Sequence, residues 1–301
     1  VHVDRAQSLI PALSSSADAR REFVQALRAV LNPDESGPED GSLEFFTNDP
    51  EVLFQNLSGP VKFVPGSSAG GATSMTAGGA ANFITDAVEG VTGAARRIAN
   101  YATYYQMKTR AGTVGRSGAG LMLARIREKR PDLPVHLVGH SFGGRLVAAA
   151  AATLEPGSKP VTMMLLQAAF SHNGLAAKFD GTHDGAFRTV VQDRRVSGPI
   201  LITHTKNDQA VGIAYPLASR LANDAAAALG DENDPYGGMG RNGAQRTQEA
   251  RAGELSDLDT PYAFTPGAVF NLRADRFING HSDVTGHQVT YALWHGLIAG
   301  S

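Results

Sequence analysis

The residues with the clearest chemical content are Val135-His136-Leu137-Val138-Gly139-His140-Ser141-Phe142-Gly143-Gly144-Arg145. Their centre is G-x-S-x-G, the strand–serine–helix turn that lifts a hydroxyl above the end of a sheet. Glycines are expected on both sides, because side chains there would collide with the neighbouring strand and helix. A helix starting behind Ser141 points its N-terminus at the site, which favours a developing negative charge. A serine hydroxyl is a weak nucleophile alone; it needs a base to take its proton and a carboxylate to orient that base. The chain carries nine histidines and 29 acidic residues from which to draw them.

The same pattern occurs a second time, at Gly66-Ser67-Ser68-Ala69-Gly70. Pro65 separates it from the apolar run 61–64, and Gly, Ala, Thr and Ser follow with no apolar stripe. Ser68 therefore lacks the helix that completes an elbow, and Ser141 is the expected nucleophile. The plainer use of Ser141 is as an N-cap in a tight βα turn. A metal is a competing use for the histidines. There is no H-E-x-x-H and no cysteine, and His281 and His287, six residues apart, do not share a helical face. No metal and no other cofactor is expected. The absence of G-x-x-x-x-G-K-[ST] removes the main mark of nucleotide binding.

The elements that position Ser141 are legible from residue 115 onward. A helix is expected over 117–130, ending in a basic turn before Pro131. Short apolar runs at 135–139, 161–167, 199–204 and 267–274 read as buried parallel strands. They alternate with helices at 142–154, 212–229 and 285–299. The fold class is α/β: a doubly wound, mostly parallel sheet with helices on both faces. The first third gives weaker signals. Residues 17–31 place Phe23, Val24, Leu27, Val30 and Leu31 on one helical stripe, ended by Asn32-Pro33. Asp49-Pro50 reads as an N-cap with Pro at the first helical position, opening a helix to Leu57. A long, weakly amphipathic helix is expected from Ala81 to about Met107, interrupted at Gly90 and Gly93. The Gly-rich stretches 65–80 and 230–260 read as lid-like segments near the mouth of the site. The chain divides into an N-terminal helical and Gly-rich region, 1–110, and a core, 111–301.

Composition sets outer bounds. Of 301 residues, 42% are hydrophobic and 19% charged, which supplies a sizeable core. The net charge of −2, without blocks of one sign, argues against a nucleic-acid partner or attachment to anionic membranes by charge. No run of about 18 apolar residues appears, so no integral membrane span is expected. The lack of cysteine excludes disulfides and thiolate catalysis and leaves the compartment open. The chain opens on Val1 without a signal-peptide pattern and is read as a processed or truncated piece.

Over 115–299, the segments VHLVGHSFGG, ILITHTKNDQAVG and INGHSD together resemble the alpha/beta-hydrolase superfamily of serine hydrolases, more narrowly its uncharacterised bacterial members. In that superfamily the chain order is nucleophile, acid, base. The resemblance implies Asp208, just past the strand 199–204, as the acid, with Asp184, Asp193 and Asp231 as weaker competitors. It implies His281, in the loop after the last strand, as the base. His287, at the start of the closing helix, is the alternative. The N–H of Phe142 becomes one oxyanion donor. The second donor has no His-Gly mark upstream of Gly139; the stretch 66–80 is a possible source. The expected activity is cleavage of a carboxylic ester, thioester or amide through an acyl-enzyme on Ser141. The alternatives are an acyltransferase with the same three residues and a non-catalytic binding module. The partner is a small-molecule or acyl substrate.

Overall fold

The computed structural model describes residues 1–59, 90–156, 161–211, 221 and 232–300. The stretch 65–80 with Ser68, Asp231, and the helix expected over 212–229 apart from residue 221 lie outside them. Among the described residues no helix is long and apolar enough to cross a membrane.

The N-terminal region is helical. Helices α1 (His2–Leu9), α2 (Ala17–Arg28), α3 (Ser42–Thr47) and α4 (Pro50–Leu57) pack with α5 (Gly90–Val114). Ser16 caps α2 by accepting the Ala19 N–H at 3.1 Å, and Asp49 caps α4 by accepting that of Glu51 at 2.8 Å. Phe23 and Val24 join Phe45, Leu53, Leu57, Ile98, Tyr101 and Tyr105 in a shared core. The stripe expected through residue 31 stops earlier. Helix α2 ends at Arg28, so Val30 falls in the following turn and is exposed. Helix α5 contains Gly93 without interruption, with Gly93, Ala94 and Ala95 all buried, and residues 81–89 of the expected helix lie outside the described residues. It continues across the boundary expected at 110/111, then passes through a π-helical turn, Gly115–Gly120, into α6 (Leu121–Lys129).

Among the described residues the sheet has five parallel strands: β1 (Val135–His140), β2 (Val161–Leu166), β3 (Ile200–His204), β4 (Ala250–Glu254) and β5 (Val269–Arg273). Their spatial order is β1-β2-β3-β5-β4. Successive residues of the central strands enter opposite cores. Met163, Leu165, Ile200 and Ile202 pack with Ala148 to Ala151 of α7 (Phe142–Ala151). Met164, Leu166 and Leu201 pack on the other face with Val289 and Ala292. Burial on both faces accounts for the unbroken apolar runs. Each such side chain contributes about 1.5–3 kcal/mol when taken fully from water. The sheet is thus a doubly wound α/β arrangement with all strands parallel.

One expectation fails here. Over 232–260 the chain is not a lid: it holds a short helix and the edge strand β4, with α8 (Arg188–Gln192) preceding and α9 (Met239–Asn242) inside the segment. Met239 is fully buried. Strand β4 reads Ala-Arg-Ala-Gly-Glu and has no apolar alternation because it lies at the sheet edge. Arg251 lies 5.6 Å over the Phe270 ring and Glu254 pairs with Arg273. Charged side chains of this kind blunt an exposed edge. The closing helix, α10 (His287–Gly300), completes the second face.

Candidate active site

All the elements of the site meet at the C-terminal edge of the sheet, where open α/β folds place their ligands. Ser141 sits between β1 and α7 with φ 56° and ψ −126°. A non-glycine residue held there stores about 1–3 kcal/mol of strain. The turn is held by three backbone bonds. Ser141 N–H donates to the Leu166 carbonyl at 3.1 Å, and the Ser141 carbonyl accepts from Gly144 at 2.9 Å and from Ala169 at 3.0 Å. A Cβ at residue 139 would stand 2.3 Å from the Gly143 carbonyl oxygen, and one at residue 144 would stand 2.6 Å from the Ala168 Cβ. At residue 143 a Cβ would meet nothing within 4 Å. The crowding expected on both sides of the serine is therefore real at Gly139 and Gly144 and absent at Gly143.

Asp208 follows β3 by four residues and is completely buried. Its N–H donates to the Thr205 carbonyl at 3.1 Å, and its Oδ1 accepts the Val211 N–H at 3.0 Å. The other oxygen, Oδ2, lies 2.9 Å from His281 Nδ1, and His281 Nε2 lies 2.8 Å from Ser141 Oγ. A buried carboxylate at Nδ1 keeps the imidazole proton on that nitrogen, so Nε2 accepts from the serine hydroxyl. His281, in the loop between β5 and α10, is thus the imidazole that meets both groups. His287 is the first residue of α10 and is exposed. Of the competing carboxylates, Asp184 accepts the Lys178 N–H at 2.9 Å and Asp193 pairs with Arg195 at 3.0 Å.

The loops carrying Asp208 and His281 are tied together. Asp275 Oδ1 accepts the Thr205 hydroxyl at 3.0 Å and the Lys206 N–H at 2.8 Å. Asn207 Nδ2 donates to the carbonyls of Asp275 at 3.0 Å and Ile278 at 2.8 Å. Sequence reasoning did not single out Asn207 or Asp275. Their mark is only that each is a short polar residue just past a strand end, a common turn position.

Phe142 opens α7, so its N–H is one of the donors a helix leaves without an intrahelical partner. Its ring packs against Tyr104 of α5, with centroids 5.5 Å apart, beside Ala169 and Val211. That apolar wall borders the serine. The stretch 66–80, considered as a source of a second donor, lies outside the described residues. His140 sits beside the base: its Nε2 is 2.7 Å from the His281 carbonyl oxygen. Burial, foremost, holds the His140 pKa below the ordinary imidazole value. Among the described residues, no group of three or more His, Cys, Asp or Glu side chains is arranged to hold a metal ion.

Fold and site together define a parallel α/β protein with a serine, a histidine and a buried aspartate hydrogen-bonded in series at the strand ends. No family model matches the chain and no solved structure matches it. Over 81 residues the chain is 37% identical to a pyruvate carboxylase of Schizosaccharomyces pombe. That stretch is 25% of this chain and 7% of the relative's length, too little of either to assign a family.

Proposed function

We propose that this protein is a serine hydrolase of the alpha/beta-hydrolase type, cleaving a carboxylic ester, thioester or amide. The observation that carries the reading is the continuous series Asp208 Oδ2–His281 Nδ1 at 2.9 Å and His281 Nε2–Ser141 Oγ at 2.8 Å. Ser141 Oγ attacks the carbonyl carbon while its proton passes to His281 Nε2. Buried Asp208 fixes the tautomer and stabilises the imidazolium that forms. The Phe142 N–H and the start of α7 face the oxyanion. His281 then gives its proton to the leaving group, and a covalent acyl-Ser141 ester remains. Water, deprotonated by His281, attacks that ester, releases the acid and restores the serine. The apolar wall of Phe142, Tyr104, Ala169 and Val211 fits an acyl group with a hydrocarbon portion.

A panel of 4-nitrophenyl esters of graded acyl length, assayed beside Ser141→Ala, tests the reading. Turnover by the native chain that disappears in Ser141→Ala supports it. Equal turnover by both proteins refutes it. Ester product in place of acid when an acceptor alcohol is added would reassign the chemistry to acyl transfer.

A further inference from the structure

We propose that His140 is a positioning residue, one that holds the backbone of His281 so that its imidazole reaches Ser141. The inference rests on the roles given above to Ser141, His281 and Asp208 and adds a fourth side chain to them. His140 is the last residue of β1 and the immediate neighbour of Ser141 in the chain. Its Nε2 lies 2.7 Å from the His281 carbonyl oxygen, so that nitrogen carries a proton and donates it. The two rings lie 4.8 Å apart at an interplanar angle of 43°.

The loop bearing His281 is also held elsewhere. The Ile278 carbonyl accepts from Asn207 at 2.8 Å, and Asp283 accepts from the Asn279 N–H at 3.0 Å. A turn bond from the Asp283 N–H to the Gly280 carbonyl at 3.2 Å spans residue 281, but none of these contacts is made by the backbone of residue 281 itself, and Ser282 and Asp283 face solvent. The His140 bond therefore joins the strand end that carries the nucleophile directly to the peptide unit that carries the base. His281 and Asp208 are the titratable groups that act on His140. Burial and the His281 charge oppose its protonation, whereas the carbonyl bond and Asp208 favour it; burial is the largest effect. A neutral His140 leaves His281 free to carry the transient positive charge without a second cation 4.8 Å away.

The test compares His140→Leu, which removes the donor, with His140→Gln, whose amide N–H can reach the same carbonyl. Displacement of a reacting group by about 1 Å costs on the order of 100-fold in rate. His140→Leu is expected to lower kcat for the best 4-nitrophenyl ester by about 10- to 100-fold with KM changed less than about threefold. His140→Gln is expected to recover most of that loss. A folded His140→Leu protein with native kcat, alongside an inactive Ser141→Ala, overturns the inference and leaves the hydrolase reading intact. Turnover retained in Ser141→Ala overturns both. Nitrogen-15 NMR of histidine-labelled native protein decides the matter if His140→Leu does not fold. A neutral His140 with its proton on Nε2 supports the inference, and the Nδ1–H tautomer overturns it.

Discussion

Replacing Asp208 by Asn tests the proton logic of the site with the least steric change. Asp208 is completely buried and each of its oxygens has a distinct partner. Oδ1 accepts the Val211 N–H at 3.0 Å, and Oδ2 meets His281 Nδ1 at 2.9 Å. An Asn oxygen can keep the Val211 bond, which turns its NH2 group toward His281. Nδ1 must then accept, and the imidazole proton moves to Nε2. That nitrogen no longer accepts from Ser141 Oγ, although the distance between them is unchanged. The expected loss for a triad with its histidine in the wrong tautomer is about 10⁴ in kcat. At 1.36 kcal/mol per decade this is about 5.4 kcal/mol of transition-state stabilisation. Steady-state hydrolysis of an aryl ester measures it, with urea unfolding to show that the fold is kept. A folded Asp208→Asn protein within tenfold of native kcat would refute the assignment of Asp208 as the group that orients His281.

Three further outcomes follow from the geometry. His281→Ala should reduce activity as severely as Ser141→Ala, because the members act as a unit, while His287→Ala, at an exposed helix start, should keep most of it; ester kinetics on the three proteins decides. Gly139→Ala places a Cβ 2.3 Å from the Gly143 carbonyl oxygen and should destabilise by about 1–3 kcal/mol, whereas Gly143→Ala meets nothing within 4 Å and should change stability much less. Equal shifts of the urea midpoints would contradict the crowding described for Gly139. Burial pushes the His172 pKa down to about 3, and its Nε2 accepts the Gly237 N–H at 3.3 Å. The unfolded state then binds the extra proton between about pH 6.5 and 3, so stability is full above about 6.5 and falls as the pH drops through that window. His172→Gln should flatten this acid slope in urea unfolding from pH 7 to pH 4; an unchanged slope would count against a neutral buried His172.

The strands β2, β3 and β5 were legible because both faces of the sheet are covered there, which writes short apolar runs into the chain. Strand β1, an outer strand of the described sheet with Val138 exposed, was legible from its Val and Leu residues and the motif that follows it. Strand β4 was not, since an edge strand of Ala, Arg, Gly and Glu buries little and carries its charges outward. Ser141 was marked by its neighbours, most sharply by Gly139 and Gly144, where no side chain fits. Asp208 and His281 had no local signature strong enough to separate them from other loop residues. Chain order and the position after a strand end selected them, and their meeting with Ser141 depends on contacts over a long sequence separation. Asn207 and Asp275 tie the two loops together through backbone carbonyls and N–H groups, which leave no pattern in a single sequence. His140 was visible within the motif, but its bond to the His281 carbonyl depends on how the loop after β5 folds back over β1.

The most direct measurement is the covalent state of Ser141 during turnover. Native protein mixed with a 4-nitrophenyl ester, quenched in acid within the first turnover and digested, is analysed by mass spectrometry. The account predicts an acyl adduct on the peptide containing Ser141, at the stoichiometry of the 4-nitrophenol burst, and its loss in Ser141→Ala. Hydrolysis without an adduct on Ser141, or an adduct on another residue that persists in Ser141→Ala, would contradict it.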